Sequence, residues 1–506
     1  MPVLATEWDV SADGLTYRFK LREGVKFHNG NDLTAADVEY SFERGMVQDE
    51  GGGPQWMFFE PFFGPTIHSS RDVEPLMPLA DIKACVEVVT SVDADWVHFT
   101  LFAPYEPFLQ ILAGPWASIV DKEWCIENGD WDGTQASYEA LNNPDPGASP
   151  LHLITNGTGP FELERWEVGV EIVLVRNDDY WGGPANFERF ITKTVPEWTT
   201  RKLMLQAGDA DWVYVPRAYI GELEGVEGLT VYKDLPQLNV DAFFFQFAIS
   251  SESTFVGSGQ LDGDGIPLDF FSDLDVRKGF NYAFDWEIYI SDALLGEAKQ
   301  VASPICEGLT YVNPDAPMHS LDLAKAEEHL RAAWDGAVWE NGFTFSLVYN
   351  EGNLERQIAC EILKANLLKI NPKFVVDIQV MQWPTVLRGM LSQLLPAFLI
   401  GWLADYPDPH NFIHPFMHSS GIFSGWQTYD NPEVDALIEQ GIAATTSAAR
   451  QDAYYQLQDL YYEDVPGIIL VQPVGRRYFR DWVKGFIFNP MDPADISHVY
   501  NLSKEY

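Results

Sequence analysis

The sequence predicts an α/β protein of more than one domain. Three observations predict it. A chain of 506 residues is long enough for two or three domains. Its 46% hydrophobic content fills large cores and argues against wholesale disorder. In the second half, a strand-like run at 344–349, an amphipathic run at 355–369 and a second strand-like run at 375–380 follow one another. That strand–helix–strand order is the pattern of parallel strands joined by a crossover helix.

The elements follow in chain order. Residues 16–21 (TYRFKL) alternate apolar and polar, as a half-buried strand does, and Gly24, Asn29 and Gly30 punctuate turns. Thr34 is placed to cap a helix over 35–44, with Asp37 in its first turn. Residues 48–80, rich in Gly, Pro and aromatics, read as a loop-rich insertion. Residues 82–90 and 96–101 read as a hairpin turning at Asp93-Ala94-Asp95. Residues 104–129 predict broken helix, and 130–150 a polar, turn-rich stretch. A sheet resumes at Gly157-Thr158-Gly159-Pro160-Phe161 and continues in the alternating run 171–176, followed by a helix over 199–207. No Lys-Ser/Thr follows GTGP, so it is not a phosphate loop. Residues 239–247 (NVDAFFFQF) form a strongly apolar strand. Helices are predicted over 276–285, 323–334 and 448–464 and from 431 onward, with a strand over 468–472.

Net charge is −43, with a pI near 4.3. Nucleic acid and anionic lipid both demand Lys and Arg, so neither is a partner for this surface. Aromatics make up 14% of the chain, including 17 Trp, which suits stacking of organic ligands as well as large cores. Four cysteines, Cys85, Cys125, Cys306 and Cys360, form no CxxC. They allow disulfides, with Cys85 and Cys125 the more local pair, or four buried thiols. No apolar run reaches the length of a membrane span. The start, MPVLATEW, lacks a basic region and an apolar core, so taken alone it reads as cytoplasmic.

G-x-S-x-G and HExxH are absent. Asp262-Gly263-Asp264-Gly265 opens like a calcium loop, but Pro267 stands where glycine is needed and the twelfth-position Glu is missing. His410, His414 and His418 fall at i, i+4, i+8, a spacing that on one helix face could hold a metal; Pro415 and the flanking Phe412, Phe416 and Met417 suit plain packing instead. Asp130 and Asp132 are a carboxylate pair of the kind glycosidases use, in a chain with 75 acidic residues. No metal site, cofactor or catalytic residue is assigned.

One stretch stands out: GWLADYPDPHNF, residues 401–412. It follows the apolar run 390–400, which could be a buried strand or a helix end. Asp405 sits between Trp402 and Tyr406, and Pro407 and Pro409 force an irregular connection. A carboxylate walled by aromatic rings suits a positively charged, partly apolar small molecule. A turn-capping Asp is the other reading.

GWLADYPDPHNFIHPF resembles the same segment of the periplasmic dipeptide- and oligopeptide-binding proteins of ABC importers, the family 5 solute-binding proteins of peptide, oligopeptide and nickel type. The region from Leu4 to Arg44, LATEWDVSADGLTYRFKLREGVKFHNGNDLTAADVEYSFER, is similar to the family's signature region. GTGPF, the dYW-type turn at Asp179-Tyr180-Trp181, GDADW at 208–212, VRKGFNYAFD at 276–285 and NPEVDALI at 431–438 match family segments in family order.

The resemblance implies a periplasmic-binding-protein-like class C fold: two α/β lobes that close over a ligand, with an extra domain in lobe I and the N-terminal part of that lobe missing here. It implies 1–155 as the extra domain, 156–240 with 486–506 as the rest of lobe I, and 241–485 as lobe II. It implies a non-enzymatic protein outside the cytoplasm, periplasmic or extracellular and membrane-associated, monomeric, handing peptides to ABC permease subunits. Asp405 would pair with the peptide ammonium, and backbone near Gly401 and Leu403 would bond the ligand as an added strand. Trp383 and Trp402 would wall a side-chain pocket, and Phe243 and Phe244 would face the cleft. Oligopeptide binders place an Arg just before GW; this chain has Pro396 to Ile400 there, and Arg356 is the candidate substitute for a ligand carboxylate. Oligosaccharide binding on the same fold is the alternative, and a carbohydrate-active enzyme the remote one.

Overall fold

The computed structural model describes residues 3–90, 95–145, 147–492 and 498–506. The chain forms two compact units, Met1–Tyr232 with Arg477–Tyr506, and Lys233–Arg476. Both crossings fall earlier than 240/241 and 485/486. The reason is that the strands Leu229–Pro236 and Gly467–Arg480 run through the crossings instead of ending at them.

Unit 1 carries two separate antiparallel sheets. β1 (Ala5–Val10), β2 (Thr16–Leu21), β3 (Val86–Thr90) and β4 (Asp95–Thr100) form the first, in the order β1-β2-β4-β3. The hairpin expected between β3 and β4 is there, but Asp93 and Ala94 of its turn lie outside the described residues. The helix Ala35–Gln48 begins at Thr34 in a capping box with Asp37 and runs a turn further than its sequence signal. Residues 48–80 are not only loop. Trp56–Phe63 (WMFFEPFF) is a helix that buries Met57, Phe58, Phe59 and Phe62, and this burial overrides the helix-breaking tendency of Pro61. Phe42, Phe58, Phe62, Phe99 and Phe108 meet edge to face or stacked beneath the sheet. Residues 130–150 also hold a helix, Gln135–Leu141, capped by Thr134. The second sheet is β5 (Phe161–Glu167), β6 (Glu171–Arg176) and β7 (Arg189–Lys193), in that order. The helix Trp198–Ala207 packs Trp198 and Leu205 with Ile220, Leu223 and Tyr478.

The chain leaves unit 1 in β8 (Leu229–Pro236). Unit 2 then contains β9 (Asn239–Phe245), β10 (Ala298–Lys299), β11 (Phe343–Asn350), β12 (Phe374–Met381), β13 (Ala397–Leu403) and most of β14 (Gly467–Arg480). β11 and β12 pair in parallel from Phe343↔Phe374 to Asn350↔Met381, and the helix Leu354–Ile370 makes the crossover. This is the strand–helix–strand unit legible in the sequence. The other sheet runs β10-β14-β9-β13, all antiparallel. Between the layers lies an aromatic core that includes Phe243, Phe245, Phe271, Phe280, Phe345 and Phe374.

All four cysteines are free and buried. Burial pushes the Cys85, Cys125 and Cys360 thiols up to about 12, so they act as small core hydrophobes. Among the described residues no helix is long and apolar enough to cross a membrane.

Candidate functional site

Every residue from Ala397 to Leu403 has a register partner on β9, ending with Gly401↔Asp241, Trp402↔Val240 and Leu403↔Asn239. β13 closes the sheet order, so its other edge meets no strand of that sheet. Burial falls along it: Ala397 to Leu399 are buried, Ile400 to Trp402 half-buried, and Leu403 exposed. The apolar run 390–400 is therefore the end of the helix Trp383–Leu391 followed by the start of a strand.

Three bonds fix the loop that leaves β13. Ala404 N–H donates to the Leu238 carbonyl at 2.8 Å, extending the ladder. Asp405 N–H donates to Asn411 Oδ1 at 2.8 Å, and Trp402 Nε1–H donates to the same oxygen at 3.2 Å. Asp408 is buried and accepts two bonds from Arg450, at 3.0 and 2.7 Å. The Arg450 guanidinium lies over Tyr311 and Tyr454, 5.4 and 5.2 Å from the ring centres. Asp408 is thus a satisfied structural anchor.

Asp405 is different. Burial pushes its carboxyl up to about 6, and the Asn411 side chain partly opposes this. No described Lys, Arg or His pairs with the carboxylate. A half-buried carboxylate without a cation is what an ammonium ligand would relieve.

Arg356 stands in the first turn of the helix Leu354–Ile370, which Asn353 caps. Its guanidinium donates to Asn350 Oδ1 at 2.8 Å, lies 3.9 Å from Asp241 Oδ1, and sits 5.8 Å from the Trp383 ring centre. Asp241, Tyr289, Asn353, Arg356 and Ile400 line a small hollow of about 30 Å³. Gly401 stands opposite Asp241, and a Cβ there would come to 2.4 Å from Asp241 Oδ1, so that carboxylate would have to shift. Trp383, the first residue of its helix, is 38% exposed.

Phe243 and Phe244 do not face open space. Phe243 packs edge-on against Phe284 inside the unit 2 core, and Phe244 stacks on Phe398 with Phe416 and Phe423 around it. Both are fully buried, so their expected place in the ligand surface is corrected to the interior. A run of three Phe fills both faces of a strand, which is the signature of burial on both sides.

The other sequence motifs make local contacts of their own. His410, His414 and His418 are buried, with successive ring centres 5.3 and 4.7 Å apart, and the helix His410–Met417 runs through Pro415. His418 Nδ1 accepts from the Ser420 backbone N–H at 3.1 Å. Asp262 accepts from Ser258 Oγ and Asp264 N–H, closing a turn with its own chain. Asp130 is buried and held by Arg44 and Gln48, while Asp132 bonds Thr134 at a helix start. These carboxylates serve the fold's own donors.

The description "Bacterial extracellular solute-binding proteins, family 5 Middle" matches residues 1–424. The probable D,D-dipeptide-binding periplasmic protein of Escherichia coli (strain K12) is 27% identical over 503 residues, covering 99% of this chain and 84% of that protein. Heme-binding protein A of Haemophilus influenzae is 25% identical over 496 residues, covering 97% and 82%. Among solved structures, the ABC transporter-associated periplasmic binding protein of Helicobacter pylori in complex with the peptide STSA superposes with a TM-score of 0.72 at 23% identity, covering 100% of this chain and 89% of that one.

Proposed function

The chain belongs to the family 5 bacterial extracellular solute-binding proteins, and from that premise we propose that it captures peptides with a free N-terminus and hands them to the permease of an ABC importer, without catalysing a reaction. Asp405 carries this reading: a carboxylate pushed up to about 6 by burial, with no described Lys, Arg or His on it, just past the end of an edge strand. A peptide ammonium at about 4 Å would gain roughly 4 kcal/mol at an effective dielectric near 20, before desolvation.

The remaining roles follow from position. The edge of β13 that β9 does not pair offers backbone groups at Gly401 and Leu403 to an extended ligand. Trp383 and Trp402 supply apolar walls, and Arg356 is the partner for a ligand carboxylate. The protein acts as a monomer in the periplasm or at the outer face of a membrane. Residues 1–155 form an additional domain of the first lobe.

The test uses a pooled library of di- to octapeptides, then its tightest member, titrated into the parent protein, Asp405→Ala and Arg356→Gln. Asp405→Ala should weaken binding by about 2–5 kcal/mol, as loss of one partner of a desolvated charge pair does. Arg356→Gln should weaken peptides with a free C-terminus and leave C-amidated ones nearly unchanged. Unchanged affinity in Asp405→Ala refutes the assignment. Oligosaccharides in the same screen would displace peptides as the ligand class if they alone shift the melting temperature.

A further inference from the structure

We infer that Asn411 is a positioning residue of the ligand site, its one carboxamide oxygen holding the Trp402 indole and the Asp405 backbone as a single unit. The inference rests on the reading of Asp405 as the ammonium partner.

The geometry is specific. Asn411 is fully buried in the first turn of the helix His410–Met417. Its Oδ1 accepts from Trp402 Nε1–H at 3.2 Å and from Asp405 N–H at 2.8 Å. One acceptor thus joins the last turn of a strand, the loop after it and the helix that follows. Asp408, at the other end of the loop, is locked to Arg450 without touching Asp405's carboxylate. Ala404 is locked to Leu238. Asn411 is therefore the tie that sets where the Asp405 side chain leaves the backbone.

The amide's other half points to a functional use. Asn411 Nδ2 is buried beside the loop, and the Asn411 side chain hydrogen-bonds the Asp405 carboxyl. The Asn411 side chain favours the charged form of Asp405, opposing the effect of burial. It therefore acts on both halves of Asp405, directly through the backbone and electrostatically on the carboxyl.

Trp402 shares the tie. Its ring meets Phe423 edge to face at 5.4 Å, so the indole is fixed by one polar and one aromatic contact. A shift of Asp405 that broke the Asn411 bond would also free the indole. The apolar wall and the charge would then lose register together.

The experiment compares Asn411→Leu, which removes the acceptor at similar volume, and Asn411→Asp, which keeps an acceptor but replaces the amide nitrogen with a second carboxylate oxygen. Each is titrated with the tightest peptide and its N-acetylated form from pH 5 to pH 8, with melting temperature as the fold check. Asn411→Leu should lose about tenfold in affinity for the free-amine peptide and little for the acetylated one. Asn411→Asp should move the acid limb of the affinity profile upward by about one pH unit, because a like charge raises the Asp405 pKa. If Asn411→Leu fails to fold, the pH profile of Asn411→Asp decides alone. Free-amine affinity within about twofold of the parent with an unmoved pH profile overturns the inference, as does equal loss for both peptide forms. Asp405→Ala run in parallel separates the failures: if it binds as the parent does, the reading of Asp405 itself is wrong.

Discussion

At the scale of the residue, two aspartates three positions apart sit in opposite surroundings. Asp408 is buried against Arg450 and Asp405 is left without a cation. Burial pushes the folded Asp405 carboxyl up to about 6, against 3.8 for the ordinary side chain. Between those values the folded, empty protein holds a proton that the unfolded chain has released. Stability therefore falls as pH rises through this window, and the whole penalty, on the order of 2–3 kcal/mol, stands above it. Asp405→Asn should raise the melting temperature of the empty protein at pH 7, should not raise it at pH 4, and should weaken ammonium ligands; thermal unfolding at both pH values checks this. Asp405 could be singled out in the sequence because Trp402, Tyr406 and two prolines frame it. The role of Asp408 could not, because Arg450 lies far along the chain. Asn411 was in view inside the same stretch, but nothing in a sequence says that one amide oxygen takes two donors. Phe243 and Phe244 were misplaced although the FFF run itself signals burial on both faces.

At the scale of the element, periodicity was a good guide where it was strong. TYRFKL gave β2, and the alternation around the helix Leu354–Ile370 gave the parallel pair. The helix Trp56–Phe63 was hidden because Gly and Pro around it read as loop, while burial of its Phe side chains decided the outcome. The identity of residue 401 is an element-scale constraint. Gly401 stands opposite Asp241, and a Cβ there meets Asp241 Oδ1 at 2.4 Å. Gly401→Ala should push the carboxylate aside and disturb Arg356, which lies 3.9 Å from it. The obstacle is the end of a side chain, so the stability cost should be modest, about 1 kcal/mol, while peptide affinity falls more. Melting temperature and titration on the same variant separate the two effects. Equal losses in both would mean that the strand itself is damaged.

At the scale of the whole molecule, the chain divides into two compact units with crossings at 232/233 and 476/477, ahead of the 240/241 and 485/486 boundaries that the resemblance implies. The crossings lie inside continuous strands that carry no punctuation in the sequence. The disulfide question could not be read from spacing; burial of all four thiols answers it. The net charge of −43 has a consequence of its own. Self-repulsion of that size is screened by salt, so the melting temperature should rise between low ionic strength and about 0.5 M sodium chloride, where the screening length falls to a few ångströms. A melting temperature independent of salt would show that the acidic groups are already balanced by local pairs. A cation-seeking site in so negative a molecule also predicts faster capture of cationic peptides at low salt.

The most direct measurement is a thermal-shift screen of the parent protein and Asp405→Asn against the pooled di- to octapeptides before and after N-acetylation. Ligand at a hundredfold over its dissociation constant adds about 2.7 kcal/mol, which such a screen resolves. The free-amine pool should stabilise the parent, the acetylated pool should not, and Asp405→Asn should respond to neither. A shift of equal size from both pools, or a full shift in Asp405→Asn, would contradict the role given to Asp405.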